Sequence, residues 1–133
     1  MRPTARRAFV IGTRLVAASV AIQFLLAGIG VFYDWTGSFF WHANINGAIV
    51  FFLPLLMILA GWYGRLPSRL LWMTAAIPGL VIVQSLLLVP YHMHATGVVR
   101  AISALHVVNG LFIFWVAVQL VDRTRTLEAP AQA

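Results

Sequence analysis

Two histidines in similar surroundings are the residues of this sequence best suited to chemistry. His42 opens the stretch His-Ala-Asn-Ile-Asn-Gly, and His106 opens the stretch His-Val-Val-Asn-Gly, which is one residue shorter. Neutral imidazole is a good ligand for haem iron, and helical bundles build cofactor sites from side chains on facing helices. The pair therefore predicts a b-type haem whose two axial ligands are His42 and His106.

The residues that follow the histidines fit a flat cofactor. Gly47 and Gly110, about one helical turn beyond each histidine, would leave room for a macrocycle. Four phenylalanines could form its walls, namely Phe51, Phe52, Phe112 and Phe114. An iron whose two axial positions are both filled by protein does not readily bind oxygen or a substrate. Electron transfer is therefore the function that this hypothesis predicts.

A second hypothesis needs no cofactor. Polar residues inside a membrane usually face the interior of a helix bundle, where they hydrogen-bond across helices. Besides the histidines, the residues expected to act in this way include Gln23, Asn46, Gln84 and Asn109. On this hypothesis the buried side chains are structural glue, and the protein is a non-catalytic membrane subunit.

A third group of potential ligands is the segment His92-Met93-His94, which precedes the last apolar stretch. Two histidines beside a methionine could hold copper or zinc, although three donors in one loop do not complete a metal site. Either histidine could also replace His42 as a haem ligand.

The remaining chemical groups exclude several kinds of protein. There is no cysteine, and the only carboxylates are Asp34, Asp122 and Glu128. Disulfides, thiolate metal sites and hydrolysis by paired carboxylates are therefore excluded, and we do not expect the chain to be an enzyme by itself. The net charge of +6 comes from arginines at the edges of apolar stretches, which is a pattern of membrane topology and not of nucleic-acid binding.

Four long apolar stretches must position these residues. Hydrophobic residues make up 62% of the chain and charged residues only 9%, which is typical of a protein whose solvent is the bilayer. The predicted architecture is an all-α bundle of four transmembrane helices in one domain, residues 1–121. The helices are expected at about 13–33, 39–63, 70–89 and 98–121. Residues 122–133 are predicted to form a disordered cytoplasmic tail.

The arginines predict the orientation of the bundle. Basic residues near transmembrane segments are retained on the cytoplasmic side, and every arginine except Arg100 falls on one side of a four-span chain. Both termini are therefore expected in the cytoplasm. The loops that hold Asp34 and His92-Met93-His94 are expected on the outer face.

The two halves of the chain resemble each other. Gln23 in the first predicted helix corresponds to Gln84 in the third, and the stretches that begin at His42 and His106 follow in the second and fourth. Duplicated hairpins that enter the membrane in the same sense pack about a pseudo-twofold axis along the membrane normal. This duplication is expected to bring His42 and His106 towards that axis from opposite sides, in the outer half of the bundle.

These features resemble a group of small bacterial four-helix membrane proteins of unknown function (DUF6220-like). The resemblance extends over nearly the whole chain and rests on Gln-x-x-Leu from Gln23, His42 with Asn46 and Gly47, the Arg-Leu-Pro-Ser-Arg turn, Gln84, and Leu-His-Val-Val-Asn-Gly-Leu around His106. It implies a multi-pass protein of the bacterial cytoplasmic membrane and no particular activity. A looser likeness to four-helix b-type cytochromes rests on the bundle and its histidines. Beyond the lipid bilayer, the expected partner is a quinone or another membrane subunit.

Overall fold

The chain folds into four long helices, labelled α1 to α4 in sequence order. The structure is a computed structural model that describes residues 2–33 and 35–127. The helices are α1 at Arg2–Phe32, α2 at Gly37–Tyr63, α3 at Ser68–His92 and α4 at Gly97–Leu127. Each is long and apolar enough to cross a membrane. The prediction of an all-α membrane protein with four helices is confirmed.

All four helices are longer than the sequence predicts, and two of them extend by more than one turn at one end. α1 begins at Arg2 and not near residue 13, because its first turns pack against the end of α2, where the Nε atom of Arg6 donates to the backbone oxygen of Gly64 over 2.9 Å. α4 continues past residue 121 to Leu127, so helix covers the first part of the segment that we expected to be disordered. Residues 128–133, the rest of that segment, lie outside the described residues.

The helices form a four-cornered bundle in which sequence neighbours run in opposite directions. α1 packs against α2 and α4, and α3 packs against the same two helices. α2 and α4 therefore occupy opposite corners. The turn between α2 and α3 is tight: Arg65 has a left-handed φ of 52°, and the amide of Leu66 donates to the oxygen of Gly61 over 2.9 Å. Pro67 then precedes α3 and prevents α2 from continuing.

The interior is densely packed at one end of the bundle only. The start of α1, the α2–α3 turn and the end of α4 meet at this end, which we call the arginine end. The apolar side chains in the interior of this end are almost completely buried, among them Phe9, Val16, Met57, Leu70, Ile77 and Leu120. In the opposite half, which carries His42 and His106, the space between the helices opens into a cavity. The bundle is thus closely packed in one half and contains a cavity in the other half.

A π-helical turn in α2 preserves the correspondence between the two halves. Residues Trp41–Asn46 form this turn. The stretch that begins at His42 is one residue longer than the stretch that begins at His106, and the extra residue lies in this turn. In α4 the segment Leu105–Thr124 is α-helical through the equivalent positions. A single inserted residue can be absorbed as a π-bulge without rotating the rest of the helix. His42 and His106 therefore keep equivalent places.

Candidate cofactor site between the two histidines

Each histidine is held by the same contact to the preceding helix. The Nδ1 atom of His42 lies 2.9 Å from the backbone oxygen of Gln23, and that of His106 lies 3.1 Å from the backbone oxygen of Gln84. Because a carbonyl oxygen can only accept, each Nδ1 carries the proton and donates it. In a neutral ring of this tautomer, the Nε2 atom keeps its lone pair. A hydrogen bond of this kind is what orients a metal-binding histidine and sets its tautomer.

The asparagines make a second repeated contact. The Nδ2 atom of Asn46 donates to the backbone oxygen of Ser19 over 2.7 Å, and that of Asn109 donates to the backbone oxygen of Leu80 over 2.9 Å. Each acceptor lies one turn before the corresponding glutamine. Although we predicted Asn46 and Asn109 as cofactor-binding residues, they brace adjacent helices and are not among the residues that line the cavity.

The two imidazole rings lie close together at the centre of the bundle. Their centroids are 6.4 Å apart and their planes are inclined by 45°. A metal ion bound at about 2 Å from one nitrogen of each ring would hold the centroids roughly 6 Å apart. The spacing of His42 and His106 therefore suits two axial ligands of one metal ion.

Both histidines border a cavity of about 560 Å³ to which all four helices contribute. This volume is within the usual range for small-molecule sites, which are also mostly apolar with a few polar groups. Its floor is aliphatic, formed by Val20, Val50, Val81 and Ile113, and its polar groups come from the histidines, Gln23 and Gln84. The site thus has the composition of a cofactor pocket.

Three glycines line the cavity, and they differ in the space around them. A side chain built on Gly28 would meet nothing within 4 Å, whereas one on Gly110 would come within 3.4 Å of the Nε2 atom of Gln84. One on Gly47 would lie 3.7 Å from the Nε2 atom of Gln23. Gly47 and Gly110 were predicted to make room, and both do border the cavity. A Cβ atom has the most room at Gly28, however, and sequence reasoning missed this residue although a glycine in an apolar helix interior was a signal for it.

The four phenylalanines predicted as cofactor walls do not line this cavity. Phe51 and Phe52 line a separate shallow groove, and Phe112 stacks on Trp115 with ring centroids 5.5 Å apart. Phe114 packs edge-on against Phe24 and does not line the cavity. Within the described residues, the aromatic side chains that border the cavity besides the histidines are Phe24 and Phe32, both from α1. Helical periodicity alone does not distinguish the phenylalanines that face the cavity from those that face lipid, because aromatic residues occur on both sides of a helix.

The two glutamines of the cavity differ in their hydrogen bonds. The Oε1 atom of Gln84 accepts a bond from Asn109, whereas the Oε1 atom of Gln23 is buried without a partner among the described residues. Leaving a buried acceptor unsatisfied costs about 1–3 kcal/mol. A ligand that brought a donor to Gln23 would remove this cost, so the cavity has an unsatisfied polar group in its wall.

The other candidate ligands lie outside this site. His92 and His94 are exposed in the segment between α3 and α4, and the ring of His92 packs against Tyr91. Neither lines the cavity, so neither takes the place of His42 opposite His106. The described residues contain no group of three or more histidine, cysteine, aspartate or glutamate side chains placed to hold a metal ion. A metal at His92-Met93-His94 stays a prediction from the sequence.

Comparison with known proteins gives a family and no activity. Residues 23–97 match the model of a family of unknown function (DUF6220). The match includes His42 and both glutamines, and it ends where α4 begins, before His106. No curated protein and no solved structure matches the chain. The likeness to b-type cytochromes therefore has no support from these comparisons.

Proposed function

We propose that this chain, which belongs to the DUF6220 family of unknown function, binds one b-type haem between His42 and His106 and carries electrons within the membrane. The observation that supports the proposal is the pair of imidazole rings that approach each other from opposite corners of the bundle. Both rings are anchored through Nδ1 to a backbone oxygen, and their centroids are 6.4 Å apart beside a largely apolar cavity.

The residues around the cavity fit such a group in three respects. The donors are two imidazole Nε2 atoms, a ligand pair that haem iron accepts. The cavity continues past the rings to Gly28, where open space remains for the edge of a macrocycle. The wall of the cavity is mostly aliphatic, which suits the apolar faces of a macrocycle.

Each part of the site would have its own task. His42 and His106 would bind the iron, and the backbone oxygens of Gln23 and Gln84 would hold the rings in place. The aliphatic floor would keep water from the metal and favour a stable six-coordinate state. Haem bound in this way supplies a centre that accepts and releases one electron. We infer that the partners are a quinone in the bilayer and an electron carrier at the outer face.

The second hypothesis, a structural subunit without a cofactor, is favoured by one observation. Each histidine and each asparagine donates to a backbone oxygen of the neighbouring helix, which is all that structural glue requires. Glue does not account for the cavity. An unfilled cavity weakens a bundle, because the side chains around it lose dispersion contacts. A bound cofactor would restore those contacts.

Haem titration of the purified protein tests the proposal. Ferric haem added to the protein in detergent should bind until one haem is present per chain. His42→Ala and His106→Ala should each weaken binding at least tenfold, since either change removes one of two metal ligands. His92→Ala and His94→Ala are matched controls that should bind like the parent protein. Equal binding by all four variants, or the lack of saturable binding, would refute the proposal.

A further inference from the structure

Two clefts lie at the arginine end of the bundle, on either side of Arg2. The first, of about 660 Å³, lies between the start of α1 and the end of α4 and is lined by Arg2, Pro3, Arg6, Arg7, Val10 and Leu127. The second, of about 700 Å³, lies between α1 and the α2–α3 turn and is lined by Arg2, Trp62, Tyr63, Arg65, Leu66 and Leu71. We call them the α4 cleft and the turn cleft.

Within residues 2–33 and 35–127, no carboxylate lines either cleft beside the arginines. Among the described residues the only carboxylate is Asp122, which pairs with Arg125 at 3.8 Å, away from the cleft linings. Arg6 uses its Nε atom to bond Gly64 and keeps its other guanidinium N–H groups. The planar guanidinium matches the geometry of phosphate and binds it through two parallel hydrogen bonds. The clefts therefore present an anion-binding rim.

The floor of each cleft is apolar and the surroundings are those of a membrane interface. Val10 and Leu127 line the α4 cleft, and Leu66 and Leu71 line the turn cleft. Trp62 and Trp72 are 73% and 77% exposed at the same end of the bundle. Exposed tryptophans gather at the level of lipid headgroups. A ligand that combines an anion with hydrocarbon fits both the rim and the floor.

We propose that these clefts bind the phosphate group of an anionic phospholipid, with its acyl chains along the apolar floor. Retention of arginine on the cytoplasmic side explains the number of basic residues at this end, but it does not require them to border clefts with apolar floors. Basic pockets between transmembrane helices are known sites for anionic headgroups. The proposal is independent of any cofactor at His42 and His106.

A charge-matched pair of variants tests this site. The cleft variant combines Arg2→Gln, Arg7→Gln and Arg65→Gln, and it keeps Arg6 because that residue bonds to Gly64. The control variant combines Arg69→Gln, Arg123→Gln and Arg125→Gln, which lie at the same end but do not line either cleft. Both variants lose the same charge. Each is titrated in neutral detergent with phosphatidylglycerol and with phosphatidylcholine, and bound lipid is counted by native mass spectrometry.

The parent protein should prefer phosphatidylglycerol to phosphatidylcholine. At each cleft the cleft variant should bind phosphatidylglycerol about 25-fold more weakly, at about fivefold for each of the two arginines that the cleft loses, and the control variant should stay close to the parent. Equal losses in the two variants would show that only the overall charge attracts lipid and would overturn the proposal. Displacement of the bound lipid by inorganic phosphate at equal concentration would also overturn it, because the floor would then contribute nothing.

Discussion

The rings of His42 and His106 lie with their centroids 6.4 Å apart, although α2 and α4 stand at opposite corners of the bundle. The Nδ1 atom of each ring is hydrogen-bonded to the backbone oxygen of a glutamine on the preceding helix. The duplication seen in the sequence is thus reproduced at the level of individual hydrogen bonds. It gives the centre of the bundle two equivalent imidazole rings beside one cavity.

The open space at Gly28 makes the occupancy of the cavity testable. Gly28→Leu should place a side chain in that space, since a Cβ at this position meets nothing within 4 Å. We expect haem binding to weaken at least tenfold while the unfolding midpoint in detergent stays the same or rises, because leucine also favours helix over glycine.

Gly79→Leu is the matched control for this change. A Cβ at Gly79 also meets nothing within 4 Å, but Gly79 lies on the exposed side of α3 and does not line the cavity. Haem titration should not distinguish this variant from the parent protein. If Gly28→Leu bound haem as well as Gly79→Leu does, the cofactor would have to lie elsewhere.

The π-helical turn in α2 predicts an unusual tolerance of deletion. Asn44 is an exposed residue of the turn Trp41–Asn46, and α4 makes the equivalent histidine and asparagine contacts with one residue fewer. Deletion of Asn44 should convert the turn to α-helix and leave His42 bonded to Gln23. We expect haem affinity within threefold of the parent value.

Deletion of Ala48 provides the comparison, because Ala48 lies in the α-helical part of α2 just beyond the turn. Loss of a residue there rotates everything before it by about 100° and carries His42 away from the cavity. Haem binding should be lost in this variant. Equal tolerance of the two deletions would mean that the π-turn does not set the position of His42.

The asparagines should contribute to stability rather than to ligand binding. Asn109→Ala removes the donor to Leu80 and leaves the Oε1 atom of Gln84 without its partner. We expect a loss of about 1 kcal/mol in the free energy of unfolding by dodecyl sulfate, since interhelical hydrogen bonds in membranes average about 0.6 kcal/mol and reach about 1.7.

Asn44→Ala serves as the reference for this measurement. The Nδ2 atom of Asn44 bonds only within its own helix, to the backbone oxygen of Phe40 over 3.2 Å, and the side chain is exposed. Its removal should leave the free energy of unfolding unchanged. A loss as large as that of Asn109→Ala would show that the interhelical bonds are not what stabilises this half of the bundle.

Composition and the internal repeat were sufficient to predict the four helices and the approach of the two histidines. Apolar length determines the number of membrane spans, and a duplicated hairpin places its equivalent residues about one axis. The acceptor of each histidine was not predictable. Gln23 and Gln84 stand out as polar side chains, but the atoms that hold the rings are their backbone oxygens, which every residue possesses.

Three other features depend on packing that a single sequence does not reveal. The first turns of α1 are ordered against the end of α2 through Arg6 and Gly64, a contact between residues distant in the chain. The phenylalanines that border the cavity are Phe24 and Phe32, because the rotation of α1 in the bundle turns these side chains towards it. The π-turn accommodates the extra residue before Gly47, whereas the sequence alone does not distinguish a bulge from a shifted register.

The orientation in the membrane stays a prediction that the arginines support, and the chain is convenient for testing it because it contains no cysteine. Single cysteines at Thr4 and Thr126 should react with a membrane-impermeant maleimide only after the cells are opened. Single cysteines at Thr36 and Thr96, beyond the opposite ends of the helices, should react in intact cells. The reverse pattern would place both termini on the outer face.

The central claim is that His42 and His106 bind the same iron, and electron paramagnetic resonance of the ferric, haem-loaded protein tests it most directly. The parent protein should give a low-spin signal, as expected for iron with two imidazole ligands. His42→Ala and His106→Ala should each give a high-spin signal, and added imidazole should restore the low-spin signal in both. A low-spin signal that persists in either variant without imidazole, or a parent protein that retains no haem, would contradict the account.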